Sequence, residues 1–161
     1  MNGSIDPETA APHPGIHGLR LQFMSIERTL TILKPDTVSA GHAGEAIAAI
    51  EQAGFRILAM KMVRLTQAQA EAFYHVHRGK FFFDSLVRFM TEGPVIPMAL
   101  EREDAIASLR KLMGDTNPEK AAEGTIRRRF GSSIERNAIH GSDAPETAAF
   151  ELGFFFAKME L

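Results

Sequence analysis

Two hydrophobic rhythms alternate along this chain, and their order leaves few folds open. "ERTLTILKP" (27–35) sets Leu30 and Ile32 on one face and Thr29, Thr31 and Leu33 on the other, the period-two pattern of a strand, and Pro35 stops it. "AGHAGEAIAAIEQAG" (40–54) is alanine-rich, carries Ile47 and Ile50 one turn apart, and reads as a helix closed by Gly54. "FRILAMKMVRL" (55–65) is apolar at most positions and reads as a second, well-covered strand. Thr66 with Gln69 forms a capping box that opens a helix running to about His77. "FFFDSLVRFM" (81–90) places Phe82, Leu86 and Phe89 at helical spacing, so a helical hairpin turns around Arg78-Gly79-Lys80. "GPVIPMALE" (93–101) reads as a third strand, followed by a helix over 103–112, the loop "GDTNPEKAAEG" and a short helix "TIRRRFG" (125–131). "NAIHG" (137–141) is a short fourth strand. Asp143 with Glu146 starts a last helix, on which Ala148, Leu152 and Phe156 form an apolar stripe.

The order β-α-β-(αα)-β-α-(α)-β-α contains two β-α-β units in one small domain. It predicts a ferredoxin-like α/β (α+β) sandwich, a βαββαβ fold whose four-stranded antiparallel sheet is covered by helices. Pro97 conflicts with a central third strand, because proline donates nothing to a ladder, so a bulge or an early strand end is expected there. Residues 1–23 carry three prolines and three glycines without periodicity, and lack the basic and apolar regions of a secretory signal. They read as a disordered extension or an expression remnant, and residues 24–161, opening at Met24, as the domain.

A chain of 161 residues fits one such domain and buries about two thirds of its unfolded surface. Its 18 basic and 20 acidic side chains give a net charge of −2, so no global field favours nucleic acid. It has no cysteine, which excludes disulfides and thiolate metal sites and fits a reducing compartment. No apolar run reaches the roughly 18 residues of a membrane helix.

The chain has neither a Walker loop nor G-x-G-x-x-G, so phosphate would be held by side chains drawn from separate elements. Lys34 ends the first strand, Arg110 lies in the helix after the third, Thr116 in the following loop, and Arg127 at a short helix start. Arginine offers a planar donor fork to phosphate oxygens and lysine a point charge, although each of these residues also suits an ordinary surface. His140 sits at a strand end before a Gly-Ser-Asp turn. A neutral imidazole is a good nucleophile that can carry a phosphoryl group if its other nitrogen is held; a loop histidine without a task is the plainer alternative. Glu151 on the final helix could hold it, or be a solvated helix residue. Phe82 could stack a base or belong to the core, and Tyr74 reads as a core tyrosine. His75 and His77 lack a partner at metal-ligand spacing, and no residue set reads as a metal site.

"NAIHGSD" (137–143) resembles the active-site signature N-x-x-H-G-S-D of nucleoside diphosphate kinases. "ERTLTILKPD", "GPV", "GDTNP" and "GTIR" are similar to further blocks of that family in the same order, and the likeness runs from about Ser25 to about Phe156. The resemblance implies a cytoplasmic ping-pong enzyme of broad base specificity. It moves the terminal phosphoryl of a nucleoside triphosphate, typically ATP, onto a nucleoside or deoxynucleoside diphosphate. Magnesium arrives as a cofactor on the nucleotide phosphates, with no metal site of the protein's own. The resemblance implies His140 as nucleophile, Glu151 as the group orienting it, and Ser142 beside that pair. It puts Lys34 and Tyr74 near the transferred phosphoryl, and Arg110, Thr116 and Arg127 on the phosphates. Asn137 and Lys34 reach the sugar, while Phe82 and Leu86 meet the base on one side and Ile134 on the other. It also implies a homo-oligomer, a hexamer or tetramer built from dimers, with nucleotides as partners and neither membrane nor nucleic acid.

Two other roles were weighed. A binding module on the same sandwich would not need a nucleophile with a full phosphate shell, and a histidine phosphotransfer protein would leave Phe82 and Ile134 unexplained. Two positions depart from the family pattern: Phe81 stands where proline usually precedes the Phe-Phe pair, which predicts a changed hairpin angle, and Val76 stands where many members carry an acid near the metal's water shell. Weaker ordering of magnesium follows from Val76. Val76→Glu is therefore expected to lower the magnesium concentration giving half-maximal turnover, and superimposable titrations of the two proteins would refute this.

Overall fold

The computed structural model describes residues 26–161, so the reading of residues 1–23 lies outside the described residues. The elements follow in the order β1 (Ile26–Leu33), α1 (Pro35–Ser39), α2 (Ala43–Gln52), β2 (Arg56–Met60), α3 (Gln67–Phe73), α4 (Phe83–Thr91), β3 (Ile96–Glu103), α5 (Ala105–Met113), α6 (Ile126–Phe130), β4 (Ile139–Gly141) and α7 (Pro145–Phe155). Short 3-10 turns cover His75–His77 and Lys158–Glu160. The sheet order is β2-β3-β1-β4 with every neighbouring pair antiparallel, the ferredoxin-like arrangement.

The period of two in β1 sorts its side chains into two cores rather than one. Leu30 and Ile32 enter a cluster with Phe73, Tyr74, Phe89 and Leu152, contributed by α3, its C-cap, α4 and α7. Leu33 enters the opposite cluster with Ile50, Leu109, Met113 and Ile126 from α2, α5 and α6. Helices thus cover both faces of β1, and Thr29 and Thr31 are buried with it.

Several boundaries differ from expectation for identifiable reasons. The second strand ends at Met60 instead of Leu65, and β2 is an edge strand with Met60 and Met62 exposed, not a well-covered one. A continuous apolar run does not tell an edge strand from a central one. Beyond Met60 an isolated bridge joins Val63 to Val95. The helix after Thr66 stops at Phe73 and tightens into the His75–His77 turn. The last helix takes Ala144 as its N-cap instead of Asp143. Thr147 Oγ1 accepts the Ala144 N–H at 2.9 Å and donates to Asp143 Oδ1 at 2.7 Å, so Asp143 and Glu146 form no capping box.

Pro97 leaves the central ladder whole. The eight pairs from Ile26↔Glu103 to Leu33↔Ile96 are unbroken, with Pro97 opposite Ile32. Its carbonyl accepts the Lys61 N–H at 3.3 Å. A strand residue's N and C=O point to the same side, so the missing donor faces β2, which ends opposite Met98 one step earlier. The expected irregularity falls in β2, whose register shifts between Ile57 and Ala59.

The capping box at α3 forms in full: the Gln69 N–H donates to Thr66 Oγ1 at 3.2 Å and the Thr66 N–H to Gln69 Oε1 at 2.9 Å. Thr66→Ala is expected to cost about 1 kcal/mol of stability, read as a lower urea midpoint with an unchanged slope.

Candidate active site

β1 presents Lys34 just past its end and pairs Ile32 with His140, so Lys34 and His140, 106 residues apart in sequence, stand at one sheet end. Glu151, reaching from α7, lies with Oε1 2.9 Å from His140 Nε2. A carboxylate can only accept, so Nε2 carries the proton, and in the neutral ring Nδ1 is the nitrogen with the lone pair. Ser142 Oγ donates to the other Glu151 oxygen at 2.6 Å and accepts the Leu30 N–H at 3.3 Å, which ties the carboxylate to the central strand. Phe73 and Tyr74 stand edge-on to the imidazole at 5.4 and 6.0 Å.

A strained turn feeds β4. Ala138 has φ of +71°, a region that L-residues rarely occupy, and the Ile139 N–H reaches back to Asn137 O at 2.8 Å, as in a γ-turn. Three bonds hold it: Asp36 Oδ2 accepts the Ala138 N–H at 3.0 Å, while Ala138 O accepts Thr37 Oγ1 at 2.8 Å and the Lys34 N–H at 2.9 Å. Such strain persists where the surroundings over-determine it. Here α1, an element absent from the sequence-based expectation, supplies two of the three partners.

The side chains beside this turn carry positive charge and, among the described residues, hydrogen-bond to no carboxylate. Lys34 is 7 % exposed, and its Nζ donates to Asn137 Oδ1 at 2.6 Å. Burial, then the nearby Arg127, pull its pKa down to about 8, with Asp36 and Glu135 opposing. Asn137 is oriented by donating to Ile134 O at 2.8 Å and Thr116 O at 3.2 Å. Arg127, 8 % exposed, donates to Gly114 O at 3.0 Å, Ile139 O at 3.1 Å and Thr116 Oγ1 at 3.5 Å. Burial and then Arg110 lower its pKa to about 10, against Asp115. Among the described residues, Arg127 Nε and the Tyr74 hydroxyl are buried without a hydrogen-bond partner. Buried charge and open buried donors of this kind suit an anion, which would complete what the fold leaves unpaired.

The fold therefore brings together His140, Glu151, Ser142, Lys34, Asn137, Thr116, Arg127 and Tyr74. Arg110 is exposed on α5, within electrostatic reach of Arg127. Phe82 caps α4, half-buried, and joins the group through His77, which lies 5.4 Å from its ring and stacks on Tyr74 at 6.1 Å. Leu86 is half-buried against the first core, and the Ile134 side chain is exposed. His77 is an addition that sequence reasoning did not make. Burial, then His140 and Lys80, push its pKa below the ordinary histidine value, against Asp143. Asp36, Thr37 and Ala138 were missed as well, and nothing in their local sequence signals the strained turn. No three His, Cys, Asp or Glu side chains gather as a metal cage among the described residues, and no helix among them is long and apolar enough to cross a membrane.

An imidazole held by a carboxylate, with two buried cations near the turn that leads into its strand, is equipment that suits phosphoryl transfer. Comparison with known proteins narrows this class. Residues 27–161 match the family described as nucleoside diphosphate kinase. The nucleoside diphosphate kinase of Desulfosudis oleivorans is 58 % identical over 136 residues, spanning 84 % of this chain and 98 % of that protein. The Aquifex aeolicus nucleoside diphosphate kinase structure superposes with a TM-score of 0.83 at 45 % identity, covering 85 % of this chain and 99 % of that one. A halophilic nucleoside diphosphate kinase from Halobacterium salinarum, solved in complex with CDP, gives 0.81 at 39 % identity, over 85 % and 91 %. The chain belongs to the nucleoside diphosphate kinase family, enzymes that pass the terminal phosphoryl of a nucleoside triphosphate to a nucleoside diphosphate by a ping-pong route.

The buried lysine gives stability a defined pH dependence. Its folded pKa of about 8 lies below the ordinary 10.5, so between those values the unfolded chain binds more protons and stability rises with pH. Between about pH 7 and about pH 10, wild type should gain roughly 2 kcal/mol relative to Lys34→Met in urea denaturation. Parallel curves would contradict it. Saturating nucleotide should flatten the difference, because a bound anion raises the lysine pKa again.

Proposed function

We propose that His140 carries the phosphoryl group in this reaction, through Nδ1. The supporting observation is the 2.9 Å contact between Glu151 and Nε2, which makes Nδ1 the attacking nitrogen of the neutral ring, together with the buried Lys34 and Arg127 near the turn that leads into its strand. In the first half-reaction Nδ1 forms a bond to the γ-phosphorus while the bond to the β,γ-bridging oxygen breaks, and the nucleoside diphosphate leaves. A second nucleoside diphosphate enters, and a β-phosphate oxygen takes the phosphoryl from nitrogen. Phosphorylation of Nδ1 makes the Nε2 proton more acidic, and Glu151, itself held by Ser142, keeps that hydrogen bond and the ring orientation throughout.

The transition state is metaphosphate-like and spreads negative charge over the equatorial oxygens, so it calls for positioned positive charge more than for proton transfer. Lys34 and Arg127 supply that charge already desolvated and oriented by Asn137, Gly114 and Ile139, which avoids reorganisation during the reaction. Arg110 and Thr116 complete the hold on the β- and γ-phosphates, and the open Tyr74 hydroxyl serves the transferred group. Asn137 with Lys34 binds the sugar hydroxyl. Phe82 with Leu86, and Ile134 opposite, hold the base by apolar contact, which rejects few bases because no polar group is left unpaired by a change of base. The CDP bound by the Halobacterium relative supports a pyrimidine diphosphate as one acceptor. Magnesium enters on the nucleotide phosphates, a mode that suits residues offering cations and hydroxyls to the phosphates. The same reading puts its work in the cytoplasm, which suits a chain without cysteine. It also implies a homo-oligomer, a hexamer or tetramer built from dimers; the exposed β2 edge, with Met60 on it and Met62 just beyond, supports association.

Brief incubation with magnesium and ATP, without acceptor, should add one acid-labile phosphoryl mass to the wild type and none to His140→Ala, and GDP should discharge it. A gain that persists in His140→Ala would place the intermediate on another residue.

A further inference from the structure

The tip of the α3–α4 hairpin carries a residue that the fold itself does not use. The Phe83 N–H donates to Lys80 O at 3.0 Å, and Phe82 has φ of −92° and ψ of −2°, the values of the third residue of a type I turn. Phe81 is therefore the second residue, where such a turn favours proline. The departure at Phe81 thus sets an aromatic ring at a position that a proline would suit. That ring buries nothing: Phe81 is 100 % exposed. An aromatic side chain standing wholly in water contributes no burial to folding. Its placement is nonetheless defined, since it meets the Phe82 ring at 5.4 Å and 89°. Phe82 rests in turn against His77, His77 stacks on Tyr74, and Tyr74 stands edge-on to His140. A run of rings leads from His140 out to Phe81.

We propose that Phe81 is a specificity-determining residue: its ring forms a second aromatic wall, perpendicular to Phe82, against which the outer part of a bound base packs. This rests on the reading of Phe82 as a base contact. A purine extends a fused second ring beyond the six-membered ring that a pyrimidine offers, so purine nucleotides gain more from the added wall. Every base has an apolar face, so the wall shifts preference without excluding any base. The gain is the same in the ground state and the transition state, because the base is remote from the phosphoryl, and it therefore resides in KM and not in kcat.

The test compares GDP and CDP as acceptors for wild type, Phe81→Pro and Phe82→Ala. In Phe81→Pro the ratio of kcat/KM for GDP over that for CDP should fall about fivefold or more, through the KM for GDP. An unchanged ratio would overturn the proposal. So would a changed assembly in sedimentation with the ratio intact, which would make Phe81 a subunit contact. Phe82→Ala separates the two readings. If it raises KM for both acceptors while Phe81→Pro leaves the ratio alone, the second wall fails and the Phe82 contact stands. If it raises neither, the base contact fails first, and the second wall falls with it.

Discussion

Two positive charges lie inside this protein with no carboxylate bonded to either. Lys34 ends in an amide oxygen, and Arg127 ends in two backbone carbonyls and a hydroxyl. Taking an ion out of water is costly, and carbonyl dipoles return only part of that cost. The fold tolerates the deficit because two helix-covered cores flank the sheet and supply the stability that the site withholds. In the proposed reaction the deficit is also what the enzyme uses. A site already desolvated and already positive needs no rearrangement when the phosphoryl passes through its most charge-dispersed state.

The same logic of local cost and distant support holds at the turn before His140. Ala138 sits in a backbone region unfavourable to any residue with a Cβ, and α1 holds it there through Asp36 and Thr37. Lys34 takes part twice: its backbone N–H bonds Ala138 O, and its side chain bonds Asn137. One residue therefore links the central strand β1, the strained turn and the buried cations. Close packing follows from this arrangement. A Cβ on Gly141, directly after His140, would come within 2.5 Å of Met113 Sδ, so the second core presses up to the residue beside that histidine.

The architecture was largely legible in the residues. The alternation in "ERTLTIL", the capping box at Thr66 and the stripe Ala148–Leu152–Phe156 each report a local preference, and each appears where local physics puts it. The site was legible only as candidates. Lys34, Arg110 and Arg127 have the chemistry of surface cations, and it took the resemblance of "NAIHGSD" to single out His140. Where the expectation failed, non-local pairing had decided. The second strand became an edge because β3 pairs with β1 on its other side, and Pro97 was tolerated because β2 ends just before it.

The sequence by itself determined the elements, their order and the residue types available for phosphoryl chemistry, because periodicity, capping and side-chain chemistry act within a few residues. Only the tertiary structure decided that His140 meets Glu151, which cations lose their water, and that Ala138 bears strain. Those outcomes depend on contacts across 11, 103 and 102 residues, from Glu151 to His140, Lys34 to Asn137 and Asp36 to Ala138. Desolvation and strain are properties of what surrounds a residue, and most of those surroundings come from chain that is distant in sequence.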